Sequence, residues 1–409
     1  MTASSRGLET LEVIDPDHYA AHGYPHEAWT QLRCQPRLTW FEQGDVPFWA
    51  VTRHADIVAI SRQPARFANG PRFQLSPGDG EPEAFTIISM DPPQHAIYRQ
   101  LLSRRFTPRA LRAIAGDLER IAVEIVDSLG EGDGSGECDV VEQVAAPLPI
   151  AVIAWLLGLP PGDWKLLFRW TNEVVGASDP EYRRAGEDGA QTRRRATEEL
   201  FAYFSELVDE RRKAPRDDLV SALVEARIEG EPLGSHELLA YALILVAAGN
   251  ETTRNATSGG LLAFAEHPGE WQRLRREPAR VPSAVEEVLR WTSPIIQMAR
   301  TATEDVELGG RKICAGETLA LFYPSANRDA AVFDDPFAFR IDRRPNAHLA
   351  FGVGEHFCMG AHLARLELQA AFRQLARRIR HFELAGPAIR LRSSAVGGVK
   401  HLPIRYQLA

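Results

Sequence analysis

The sequence predicts a mainly α-helical fold with small β-sheets, in one domain spanning residues 1–409. Three observations carry that expectation. Helical periodicity dominates: Arg109 to Leu129 sets Leu111, Ile114, Leu118, Ile121 and Ile125 at three- and four-residue steps, the spacing of one helix face. Strand-like pieces are short: Phe48 to Thr52, Asp305 to Leu308, and Thr318 to Tyr323. No internal repeat or long low-complexity linker divides the chain, and strands do not alternate with helices as a parallel sheet requires.

The elements follow in order. Residues 1–20 read as a poorly ordered tail. The Arg109 helix ends in a Gly-rich loop, Gly130 to Gly136. Thr192 to Arg212 and Ser235 to Ala265 read as further helices. The second of these is nearly apolar in its first half, so it should be buried on most sides. Pro282 opens a short helix that carries Val285, Val288 and Leu289 inward. Pro and Gly punctuate Pro324 to Gly360 densely. Beyond Gly360, Leu368, Phe372 and Leu375 mark one more helical stripe.

A chain of 409 residues, 44% hydrophobic and 25% charged, can bury a core large enough to enclose a cofactor. Its net charge of −8 argues against a nucleic-acid partner, which needs a basic footprint. The longest apolar run, Leu238 to Ala248, falls well short of the ~18 residues of a membrane span. Met1 to Asp15 holds no apolar signal core. The four cysteines, Cys34, Cys138, Cys314 and Cys358, make no C-x-x-C pair. A cytoplasmic, monomeric protein with reduced thiols is expected.

The most informative segment is Phe351-Gly-Val-Gly354-Glu-His356-Phe-Cys358-Met-Gly360. Two glycines permit a tight loop with positive φ. Cys358 then stands where that loop feeds a helix, and backbone N–H groups there favour a thiolate. Three plainer readings compete. A lone cysteine is usually a small buried hydrophobe, which is the reading preferred for the other three. His356, Cys358 and His362 offer three zinc ligands without an evident fourth. Gly352-x-Gly354 begins a dinucleotide loop, but Phe357 stands where its third glycine belongs.

The segment resembles the heme-binding signature of the cytochrome P-450 family, F-x-x-G-x-[HR]-x-C-x-G, at every fixed position. The resemblance implies the family's triangular-prism fold, with heme b (iron protoporphyrin IX) between a long central helix and the cysteine loop. It implies that Cys358 is the axial ligand of the iron, that Phe351 packs against it, and that His356 meets a heme propionate.

Other segments agree. Ala248-Gly249-Asn250-Glu251-Thr252-Thr253 interrupts an apolar helix with a glycine, which costs about 1 kcal/mol against alanine and asks for a reason. Local distortion opening a groove is one such reason. An acid and an alcohol side by side can relay protons; a back-bonded threonine beside a surface-paired glutamate is the plainer reading. The segment is similar to the family's oxygen-activation motif, [AG]-G-x-[DE]-T, which implies proton delivery by Thr252 and Glu251 and cofactor contact at Ala248 and Gly249. His95 and Arg99 fall four residues apart on one helical face. With Arg300 and His348 they resemble the family's propionate contacts.

Glu287 and Arg290 match the family's structural E-x-x-R pair, whose usual third partner lies in a P-x-R-F segment. Here that segment reads Pro336-Phe337-Ala338-Phe339, with Ala338 in the arginine's place, so Arg340 or a backbone carbonyl is expected to substitute.

The resemblance implies insertion of one oxygen atom from dioxygen into a substrate. Two electrons must come from outside, since no flavin or nicotinamide motif is present: a ferredoxin and its reductase. Arg104, Arg105, Arg109 and Arg112 form a candidate docking patch, or an ordinary solvated face. Pocket walls are expected at Ala247 and Ala248, Phe85 to Ile88, Ile295 to Met298, and Ala395 to Val396. These are mostly apolar and point to a hydrophobic small molecule. AAGNETTRNA (247–256) and FAEHPGEW (264–271) are closest to the actinobacterial branch that hydroxylates steroids and methyl-branched lipids, leaving steroid, terpenoid and polyketide chains as substrate classes.

Overall fold

A computed structural model describes residues 11–42, 46–75, 86–130 and 134–409. Helices supply most of the frame. Those that build the site are α1 (Gln94–Ser103), α2 (Pro108–Asp127), α3 (Pro147–Leu156), α4 (Trp164–Val175), α5 (Gly189–Lys213), α6 (Ser235–Glu266), α7 (Val281–Thr292) and α8 (Ala361–Arg378). The strands of the two larger sheets are β1 (Thr39–Phe41), β2 (Phe48–Val51), β3 (Phe67–Ala68), β4 (Ser135–Asp139), β5 (Gln297–Ala302), β6 (Thr318–Phe322), β7 (Ile379–Leu384) and β8 (Pro403–Leu408). Of the tail expected at 1–20, residues 1–10 lie outside the described residues. The rest is structured: a helix runs Pro16–His22, capped by Asp15, and Val13 and Tyr19 are buried.

Local chemistry explains the helix starts. Thr107 accepts the Ala110 N–H and Pro108 occupies the first turn of α2. Asp188 and Gln191 exchange bonds in a capping box that opens α5. At the head of α6 the Glu237 carboxylate takes the Gly234 N–H at 2.6 Å.

Helix α6 is the axis of the molecule and packs against α3, α4, α5, α7 and α8. It runs unbroken for 32 residues. A side chain at Gly249 would stand 3.3 Å from Ile153 on α3. The glycine permits close helix approach there. From the next residue on, buried polar groups join the apolar ones: Asn250, Glu251, Arg254 and Asn255 all face protein.

Two small sheets flank this bundle. The first has strand order β1–β2–β6–β5–β3, with β2 and β6 parallel and its other pairs antiparallel. It places Arg300 opposite Leu319. The second, β7–β8–β4, is antiparallel and joins the C-terminus to the loop after α2.

The Glu287/Arg290 pair lies on α7 with both side chains fully buried. Its third partner is neither expected candidate alone but Arg343, whose Nε stands 3.2 and 3.1 Å from the two Glu287 oxygens. Arg340 contributes its backbone N–H at 2.8 Å. The carbonyl of Ala338 accepts from both Arg290 and Arg343.

Candidate functional site

The cysteine loop is closed by its own backbone. Cys358 N–H donates to the Phe351 carbonyl at 2.9 Å, and Phe357 N–H to Gly354. Gly352 and Gly354 take φ of +68° and +80°, and a side chain on Gly354 would collide with the Ser61 carbonyl. Helix α8 begins immediately after, at Ala361. The Cys358 thiol is accessible, yet its sulfur lies deep, with protein packed around the loop. Burial pushes the thiol up, while the Gly360 N–H, Arg99 and Arg365 oppose that push. Phe351 is held from behind by Arg365, whose guanidinium sits 4.5 Å from the ring centre.

Four cationic or imidazole groups gather beside the loop. His95, on α1, is almost wholly buried, and its ring stacks on His356 at 3.9 Å between centres. His95 Nδ1 lies 3.1 Å from Glu355. Arg99, one turn further, donates to the Phe357 carbonyl. Arg300 is 5% exposed, and its only hydrogen bond among the described residues is to the neighbouring Ala299 carbonyl. Desolvation depresses its basicity. His356 is pushed down to about 3, first by burial and then by His95, Arg300 and Arg99. Among the described residues its buried Nε2 meets no partner. The buried Arg300, the half-buried Arg99 and an orphaned imidazole nitrogen fit a ligand bearing carboxylates, and a thiolate donor beside them fits a heme iron.

His348 does not belong to this group. Its Nε2 pairs with Glu286 at 3.1 Å, and its Nδ1 accepts the Ala350 N–H at 3.3 Å. Glu286 also holds Arg365 through two bonds. With both nitrogens engaged, His348 links the segment before the cysteine loop to Glu286 on α7.

On α6, Ala248 is exposed in the middle of a largely buried helix, and Thr252 donates to its carbonyl at 2.8 Å. The back-bond anticipated as the plainer reading is therefore present. Glu251 is not in a surface pair: it is 2% exposed and bonded to Arg254 and Asn255. Successive helical residues point about 100° apart, so Glu251 and Thr252 point to different sides of α6, and among the described residues no bond joins them. Arg254, Arg343 and the Glu286–Arg365 pair were missed from sequence, although Arg254 stands at a legible three-residue step from Glu251.

Among the expected pocket walls, Ile295 pairs with Val396, and Ile296 N–H donates to Ala395. Thr86 and Ile87 are buried; Phe85 lies outside the described residues. A surface cleft of about 1120 Å³, lined by Trp155, Tyr203 and Asp217, opens elsewhere and holds none of these groups. No helix among the described residues is long and apolar enough to cross a membrane.

The sequence model described as Cytochrome P450 matches residues 180–394. The chain is 38% identical to a steroid C26-monooxygenase of Mycobacterium tuberculosis, covering 97% of this chain and 92% of that protein. It is 37% identical to a methyl-branched lipid omega-hydroxylase of the same organism, covering 93% and 90%. Among solved structures, a Mycobacterium marinum cytochrome P450 in complex with pseudoionone superposes with a TM-score of 0.90 at 33% identity, covering 98% of this chain and all of that one.

Proposed function

The chain belongs to the cytochrome P450 family, and from that premise we propose that Cys358 ligates a heme b whose propionates are held by His95, Arg99, Arg300 and His356. Membership makes it a heme-iron monooxygenase of hydrophobic substrates that depends on redox partners. When bound, the heme supplies dioxygen activation and oxygen insertion at an unactivated carbon. The remaining work falls to the chain.

Cys358 donates electron density from a loop that cannot relax, because both glycines and the Phe351 carbonyl fix it. Phe351, backed by Arg365, shields the sulfur on one side. Ala248 is exposed in mid-helix and leaves room beside α6. Thr252 Oγ1, which donates to the Ala248 carbonyl at rest, holds a proton one turn away, and Glu251 resupplies it by turning its unbonded Oε2. Ile295, Val396, Thr86 and Ile87 line the approach and select an apolar substrate: a steroid, a terpenoid, or a methyl-branched acyl or polyketide chain. The names of the two mycobacterial relatives support the first and last of these. Electrons are supplied by a ferredoxin and its reductase. Arg104, Arg105, Arg109 and Arg112 are all exposed and suit an acidic partner, although Arg105 also meets Asp217 at 2.6 Å.

The observation that carries the reading is the accessible Cys358 beside the buried Arg300 and an orphaned His356 nitrogen. Reduced protein under carbon monoxide should give a thiolate-type heme difference band, and Cys358→Ser should abolish it. A colourless protein, or a band that survives the substitution, overturns the assignment. Turnover with peroxide but not with dioxygen and ferredoxin would replace the monooxygenase by a peroxygenase.

A further inference from the structure

Glu251 is pinned at one oxygen only. Its Oε1 receives Arg254 Nη2 at 2.5 Å and Asn255 Nδ2 at 3.0 Å, whereas among the described residues its buried Oε2 meets no partner. A glutamate carboxylate otherwise rotates freely about its last torsion. Two donors on one oxygen select an orientation and leave the other oxygen for exchange.

Arg254 is itself seated by other elements. Its Nη1 donates to Asn172 of α4 at 2.6 Å. Its guanidinium lies 5.7 Å from the Phe168 ring centre and 6.0 Å from that of Tyr182. Tyr182 ends the 3₁₀ turn Pro180–Tyr182, in the connection between α4 and α5. That turn is tied to the C-terminal segment. Lys400 Nζ is 2.9 Å from both Asp179 oxygens and 2.6 Å from Glu181. His401 Nε2 is 2.7 Å from Glu181, while Arg392 donates to Asp179 and to the Ser178 carbonyl. Lys400 also lies 5.9 Å from the centre of the Tyr182 ring. Single exposed ion pairs hold little, but these converge on Ser178, Asp179 and Glu181, and Asp179 is almost wholly buried.

We propose that Arg254 is a positioning residue for proton delivery, fixing one oxygen of Glu251 and kept in place by the tied-down Ser178–Tyr182 segment through the Tyr182 ring. The inference rests on the assignment of Glu251 and Thr252 made above and names what holds that acid. It also implies that loosening the segment loosens the acid.

The test uses holoenzyme with a compound that shifts the heme absorption band. Peroxide released per electron pair and the solvent deuterium isotope effect on kcat are measured, with Glu251→Gln as reference. Arg254→Gln should raise peroxide release several-fold toward the reference and change the isotope effect, with substrate KM unmoved. Arg254→Lys should recover part of the coupling. Tyr182→Leu should leak more than Tyr182→Phe, which keeps the ring. Independently of turnover, amide exchange across 178–182 in the ferric enzyme should quicken in Arg254→Gln and Tyr182→Leu. Leakage in Glu251→Gln with wild-type coupling in Arg254→Gln overturns this inference and spares the assignment beneath it. Wild-type coupling in Glu251→Gln removes the acid itself. Should Arg254→Gln fail to fold, Arg254→Lys and Tyr182→Leu decide, and wild-type coupling in both overturns the inference.

Discussion

Two glutamates in this molecule pair with an arginine three residues on, both buried, and their surroundings complete them differently. Glu287 on α7 receives Arg290 twice at 2.8 Å, Arg343 at 3.2 and 3.1 Å, the Arg340 backbone at 2.8 Å and Asn346 at 3.1 Å. Both of its oxygens are saturated, and Arg290 spends its remaining donors on the carbonyls of Asn327, Pro336 and Ala338. Glu251 on α6 has one oxygen bonded and the other without a partner. The spacing makes a pair possible in both cases. What differs is whether every lone pair is met. A saturated pair fixes the fold, and a half-met one retains a group able to move a proton.

Breaking the saturated pair should do most damage. Arg290→Leu leaves a buried carboxylate short of its main counter-charge and should cost about 3–5 kcal/mol. Little heme-loaded protein should be recovered, as read from the ratio of heme to protein absorbance after purification. Arg343→Ala removes one contributor while Arg290 stays, so about 1–3 kcal/mol is expected by urea denaturation; an unchanged midpoint would deny Arg343 its place as third partner. Glu251→Gln should reverse the balance of effects. It should cost about 1–3 kcal/mol of stability, less than Arg290→Leu, because a glutamine oxygen still accepts from Arg254 although the counter-charge is lost. Product formation should fall roughly 100-fold or more, as measured by product per dioxygen consumed.

The smallest effect concerns a third buried glutamate, one without an arginine. Glu367 on α8 is 2% exposed, its Oε2 meets no partner, and burial pushes its carboxyl well above the ordinary 4.5. The folded state therefore binds this proton more tightly than the unfolded chain. The stability it contributes is complete below pH 4.5 and is lost as pH rises toward the folded value. Glu367→Gln, which needs no proton, should stabilise the protein by about 0.5–2 kcal/mol at neutral pH. Thermal melts should show a smaller gain at pH 5 than at pH 8; an equal gain at both would mean the carboxyl is ionised in the fold.

Much of this was legible in the residues. Apolar spacing placed α2, α5 and α6 to within a few positions, because a helix face is written in a window of one or two turns. Gly352, Gly354 and the helix after Gly360 placed the cysteine loop for a similar local reason: positive φ is cheap only for glycine. His95 and Arg99 shared a face because four residues make about one turn. The pairing of His348, three residues before Phe351, with Glu286 on a distant helix was not legible locally. Nor was the packing of Gly249 against Ile153.

The sequence by itself determined the helical frame, the cysteine loop and the positions at which cations and acids stand. Only the tertiary structure decided their partners. Arg343 reaches Glu287 from 56 positions away, and Tyr182 covers Arg254 because the C-terminal segment ties its turn down. Backbone conformation is set by neighbours in the chain, whereas the pairing of a buried charge depends on which elements the core brings alongside it. Cys358 shows both: its loop was readable from ten residues, and the cations beside it were assembled from α1, β5 and the loop itself.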